Sequence, residues 1–106
     1  MGSARITLMV VGAHAGDAEN MAGAIAAKYA LRGHRVVVVH MTLGERGNPK
    51  LPDEEYAKQK RAEAARVAST LGVEVEFLDY KDGELPDSEE PRRSLTALIV
   101  RYKPTV

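Results

Sequence analysis

Two apolar runs a helix-length apart constrain this chain more than any other feature. Ile6, Leu8, Met9, Val10 and Val11 make up the first, and the four successive valines Val36–Val39 form the second. Such runs have no polar face, so each predicts a strand covered on both sides, as in a parallel sheet. Between them Met21, Ala22, Ile25, Ala26 and Tyr29 recur at helical spacing, which predicts an amphipathic helix from about Asp17 to Arg32 that stops at Gly33. The second strand is expected over Arg35–Met41, followed by the long loop Thr42–Pro52. A second helix is expected over Asp53–Leu71, with Asp53, Glu54 and Glu55 complementing the dipole of its first turn and Gly72 ending it. Its inward face is Ala57, Arg61, Ala64, Ala68 and Leu71. Val73–Leu78 alternates with Glu74 and Glu76, as suits a strand near an edge, and the loop Asp79–Pro91 leads to a third helix over Arg92–Tyr102.

The resulting β-α-β-α-β-α order predicts a Rossmann-like open parallel sheet with flanking helices. Right-handed crossovers place strands two and three successively on one side of strand one. The strand after the third helix would return to the other side of strand one, creating the switch point at which ligands bind. The sequence reaches Val106 as that strand is about to begin. We therefore expect residues 1–106 to form a single, partial α/β domain.

Charge and composition narrow the function classes. Fifteen basic residues balance fifteen acidic ones, which points away from nucleic acid and anionic membranes as partners. With no cysteine, any metal must be held by His, Asp and Glu. Ile6–Ala13 is too short to span a bilayer. The start has Gly2 but lacks the Ser or Thr that N-myristoylation needs at position 6, where Ile6 stands. A soluble, cytoplasmic protein is expected.

Ligands of open α/β sheets sit beyond the carboxyl ends of the strands, so the loop after strand one is the place to look for chemistry. There His14 and Asp17 offer imidazole and carboxylate to a divalent metal; alternatively Asp17 caps the first helix and His14 is an ordinary polar loop residue. Glu19 sits in the first helical turn, where it complements the dipole. His34 precedes strand two, on the opposite rim, whereas His40 ends it on the same rim, where it is either a packed or hydrogen-bonded histidine or one that approaches the loop. Gly12-x-x-x-Gly16 is not the dinucleotide fingerprint, and Asp17 and Glu19 would repel a pyrophosphate. Lys58–Arg61 reads as the solvated face of helix two.

In these terms Ala13-His14-Ala15-Gly16-Asp17-Ala18-Glu19 resembles the A-H-P-D-D opening of the LmbE-like, or PIG-L, zinc-dependent N-deacetylase family. Thr42-Leu43-Gly44-Glu45-Arg46-Gly47 resembles the family's T-x-G-E-x-G loop. Arg61-x-Glu63 with Leu71-Gly72 resembles its R-x-E…L-G helix, and Asp82-Gly83-Glu84-Leu85 its D-G-x-L loop. The resemblance implies Zn2+ held by His14 and Asp17, and hydrolysis of an N-acetyl group on an N-acetylglucosamine-type substrate, an amino-sugar conjugate. It also implies two departures. Gly16 stands where the family has its general-base Asp, with Glu19 as a substitute, and the family's third ligand, a His, lies beyond the equivalent of Val106.

Either His40 or another chain would then complete the metal site. Glu45 and Arg46 are expected either to contact substrate or to hold their loop. The leading expectation is a metal-dependent N-deacetylase, active as a homo-oligomer or with a chain supplying the rest of the fold. The alternatives are a family member that has lost its base and acts as a binding or assembly module, and a three-stranded unit that dimerises through an open sheet edge.

Overall fold

A computed structural model describes residues 4–106; Gly2, the start of the N-myristoylation pattern that Ile6 leaves incomplete, lies outside the described residues. The chain runs through β1 (Thr7–Gly12), α1 (Asp17–Leu31), β2 (Arg35–Thr42), a 3-10 turn (Glu45–Gly47), α2 (Asp53–Leu71), β3 (Glu74–Tyr80) and α3 (Glu89–Tyr102). The three strands are parallel in the order β1-β2-β3. Opposite each other lie Leu8 and Val36, Gly12 and His40, and His40 and Phe77, so the carboxyl ends of all three strands reach one rim.

The valine run behaves as a doubly covered strand must. Val37 and Val39 pack with Met41 against Leu98 and Tyr102 of α3. Val36 faces the other way, with Leu8, against Ala26 of α1. Each such valine contributes roughly 1.5–3 kcal/mol relative to an exposed one. With α1 on one face and α3 on the other, the chain changes sides after β3. Thr105 N then donates to Thr7 O at 2.9 Å and Met9 N to Val106 O at 2.9 Å. Thr105 and Val106 therefore lie beside β1 on the edge away from β2, as the expected crossover requires.

Three details differ from the sequence expectation. The apolar spacing pointed Met21 and Ile25 inward, yet they are 86% and 54% exposed. α1 instead turns its alanines to the sheet, with Ala18 and Ala26 buried, because small side chains let a helix axis approach the strands closely. Second, β3 lies slightly later than Val73–Leu78, ending at Tyr80. Third, α3 starts at Glu89, so Pro91 is inside its first turn and buried there rather than in the preceding loop. Proline costs nothing at that point, since the first N–H groups of a helix have no internal partner. Among the described residues no helix is long and apolar enough to cross a membrane.

Candidate metal-binding loop

The loop after β1 is shaped by close packing. A Cβ on Gly12 would stand 3.0 Å from the backbone nitrogen of Ala18, so only glycine lets the start of α1 close over the strand end. Ala13 O accepts from Thr42 N at 2.9 Å and from Thr42 Oγ1 at 2.8 Å, tying the loop to the end of β2. The next four residues close into a turn: Asp17 N donates to His14 O at 3.1 Å, and His14 N donates to Asp17 Oδ2 at 2.9 Å. Gly16 precedes the helix with φ of 104°, a left-handed conformation natural to glycine.

Asp17 is thus the first helical residue rather than the cap, and its carboxylate reaches back to His14 instead of satisfying the helix's own amides. The same Oδ2 stands 3.3 Å from His14 Nδ1. On the far side of the ring, His14 Nε2 is 3.0 Å from Oδ1 of Asp82, in the loop after β3. Asp82 is itself held in place. Its Oδ2 accepts from Arg46 N at 3.1 Å, and its own N donates to Glu45 Oε1 at 3.2 Å.

A neutral imidazole carries one N–H, so it can donate to only one of two flanking carboxylates. If Nε2–H donates to Asp82, the Nδ1 lone pair faces Asp17, and the two atoms can share a cation between them. Two atoms sharing a tetrahedral zinc ion stand roughly 3.3–3.5 Å apart at ordinary Zn–N and Zn–O lengths, which the His14–Asp17 separation matches. The donor set therefore fits zinc as far as it goes, with Asp82 orienting the imidazole from behind. Among the described residues, no three His, Cys, Asp or Glu side chains converge on one point. His14 and Asp17 are the pair of candidate donors among the described residues.

The remaining sequence candidates fall elsewhere. Glu45 and Arg46 border a separate cleft of about 280 Å³. There the Arg46 guanidinium pairs with Glu84 and lies 3.8 Å from Asp53. Arg61, on the helix face expected to point inward, is exposed but stacks its guanidinium over Phe77 at 4.4 Å and pairs with Asp79. His34 accepts a hydrogen bond from Ile6 N at 2.9 Å, at the amino rim.

Glu19 and His40 meet each other instead of His14. His40 is fully buried, stacked on Phe77, with Nε2 at 3.6 Å from Glu19 Oε2. Both its ring nitrogens, and Glu19 Oε1, are buried without a hydrogen-bond partner among the described residues. Burial pushes the His40 pKa below the ordinary 6.5; the Glu19 and Asp17 charges oppose that shift, and the Lys60 charge adds to it. The unfolded chain therefore takes up this proton first. Stability is full above about pH 6.5 and falls as the pH drops below it. Urea unfolding midpoints from pH 8 down to 5.5 are expected to show that fall, and His40→Leu to flatten it. An unchanged slope in the variant would assign the effect to another group.

Asp82 is the site residue that sequence reasoning passed over as a partner for His14. Its signal was the resemblance of Asp82-Gly83-Glu84-Leu85 to the family's D-G-x-L loop, which carried no link to His14.

Against this geometry, the family model described as PIG-L: GlcNAc-PI de-N-acetylase matches residues 9–106. Mycothiol S-conjugate amidase of Streptomyces coelicolor is 37% identical over 93 residues, covering 80% of this chain and 32% of that protein. A 4-oxalmesaconate hydratase of Pseudomonas putida is 28% identical over 111 residues, covering 98% and 43%. The structure of N,N'-diacetylchitobiose deacetylase from Pyrococcus horikoshii superposes with a TM-score of 0.87 at 32% identity, over 92% of this chain and 38% of that one. The chain spans less than half the length of each of these three relatives.

Proposed function

The chain belongs to the PIG-L (LmbE-like) family of deacetylases and amidases, and on that premise we propose that it forms the metal-loop portion of a zinc-dependent hydrolase. The substrate is an amino-sugar conjugate of the N-acetylglucosamine type, from which an N-acetyl group is removed. One observation carries the reading: His14 Nδ1 and Asp17 Oδ2 stand 3.3 Å apart at the end of β1, with Asp82 behind the ring. His14 and Asp17 would hold the zinc, which when bound supplies a Lewis acid for the amide carbonyl and an activated water.

The rest is the work of side chains. Asp82 fixes the tautomer and direction of His14. Glu45 and Arg46 hold the loop that carries Asp82 and contact substrate from the cleft beside it. The third donor comes from outside residues 1–106, from a second copy or from a chain carrying the remainder of the fold. The setting proposed is cytoplasmic.

Gly16 favours a second reading, in which the fold survives as a binding module without a base. A positioned base contributes about 10²–10⁴ in rate. Gly16→Asp separates the two readings. The left-handed φ makes this change cost about 1–2 kcal/mol of stability. Acetate release from N-acetylglucosamine conjugates is measured with zinc and the completing chain present. A gain of a hundredfold or so over the parent would mark a weakened enzyme. No release from either protein would favour the binding module, and release by the parent that His14→Ala leaves unchanged would refute the metal loop.

A further inference from the structure

Lys60 lies one helical turn beyond Tyr56 on α2, and its side chain reaches toward Gly16. A Cβ built on Gly16 would find Lys60 Nζ at 4.0 Å as its nearest neighbour outside the adjoining chain. The place that a side chain at position 16 would point into is thus faced by an ammonium group. Lys60 is half-buried, with its Nζ 5.9 Å from the centre of the Tyr56 ring. It makes no ion pair among the described residues, although Glu19 and Glu63 line the same cleft. Two hollows meet at this side chain. One, of about 260 Å³, opens onto His14, Tyr56 and Asp82. The other, of about 200 Å³, runs between α1 and α2 past Gly16 and Glu19. Ala15 and Lys60 are common to both.

We propose that Lys60 and the Gly16 gap form a binding site for a carboxylate group on a small molecule lodged in the His14 cleft. A half-buried ammonium without a counter-ion is electrostatically unfinished, and a carboxylate completes it through a charge-assisted hydrogen bond. The surrounding charge decides which anion. Glu19, Glu63 and Asp82 line the two hollows, so a phosphate dianion meets about twice the repulsion that a carboxylate does, with the same single lysine to offset it. The absent side chain at position 16 gives the carboxylate its room. Lys60 is thereby a specificity residue, reading the acidic end of a ligand whose other end faces His14.

Neither the metal nor any reaction enters this proposal, so it is tested on the full chain with a chelator present. Acetate, the acid a deacetylase would release, is titrated into 15N-labelled protein at constant ionic strength, with inorganic phosphate as the second arm. Saturable shifts of the Ala15 and Gly16 amides are expected with acetate, and binding weaker by roughly tenfold or more in Lys60→Met. Lys58→Met, on the solvated side of the same helix, should bind as the parent does. Lys60→Arg retains the cation and should preserve binding, which guards against a mere folding defect. Absence of a saturable acetate shift, or equal binding by Lys60→Met, overturns the site. Tighter binding of phosphate than of acetate overturns the choice of a carboxylate.

Discussion

His14→Ala is expected to lower zinc affinity by more than roughly 10²-fold, and Asp17→Ala to do the same, since each removes one of the two proposed donors. The stronger test is Asp82→Asn. Asp82 touches no metal in the proposed arrangement; it acts on Nε2 of His14 at 3.0 Å. An amide in its place can present NH2 as readily as oxygen, so the imidazole loses its fixed tautomer and Nδ1 is no longer held as a lone pair facing Asp17. Second-layer partners of metal-bound histidines are worth about 10–100-fold in affinity, so Asp82→Asn should fall between the parent and the ligand deletions. Competition against a chromophoric chelator gives all three constants on one scale. Were His14→Ala and Asp17→Ala to bind as the parent does, the His14–Asp17 pair would be a structural turn and the metal reading would fail.

That graded outcome turns on a residue whose role was invisible in the sequence, and the reason is instructive. Local chemistry was legible wherever one segment decides its own conformation. The valine run could only be a doubly covered strand, and Gly33 and Gly72 stop their helices. His14 and Asp17 are close enough in sequence to meet within a single turn. Asp82 is 68 residues from His14, and their contact depends on how far the loops after β2 and β3 lean over the rim. No spacing encodes that lean; it is set by Arg46 N and Glu45 Oε1 gripping Asp82 from the side.

Glu19 shows the converse failure. Its place in the first helical turn suits a dipole complement, yet the helix is rotated so that its alanines meet the sheet, and that rotation carries Glu19 inward to His40. The same rotation exposes Met21 and Ile25. Hydrophobic spacing favours the largest apolar residues, whereas close helix–sheet packing selects the smallest, and on α1 the two criteria lie on different faces.

Tyr102→Ala is expected to cost about 3–5 kcal/mol, the usual range for deleting a buried aromatic side chain. Tyr102 ends α3 and is 6% exposed, packed against Val37, Val39, Met41 and Leu98. Its hydroxyl donates to Glu76 Oε1 at 2.8 Å, and burial together with that acceptor pushes the phenol pKa up, so it remains a donor. Arg35 and Arg101 lie over the ring at 4.7 and 4.8 Å. Small domains are stable by only about 5–15 kcal/mol, so this one deletion removes a large share and should lower the melting temperature by well over 10 °C. Tyr102→Phe keeps the ring, and Glu76 still accepts from Arg101 at 2.7 Å, so its cost should be only about 1 kcal/mol. The consequence reaches the site through topology. α3 is the element that carries the chain to the second face and sets Thr105 and Val106 beside β1, so loosening its last residue frees that edge of the sheet. Hydrogen exchange should then quicken at Met9, whose amide bonds to Val106, before it quickens at Val37 in the strand between the other two. Equal acceleration at both positions would mean that α3 and the sheet unfold as one cooperative unit.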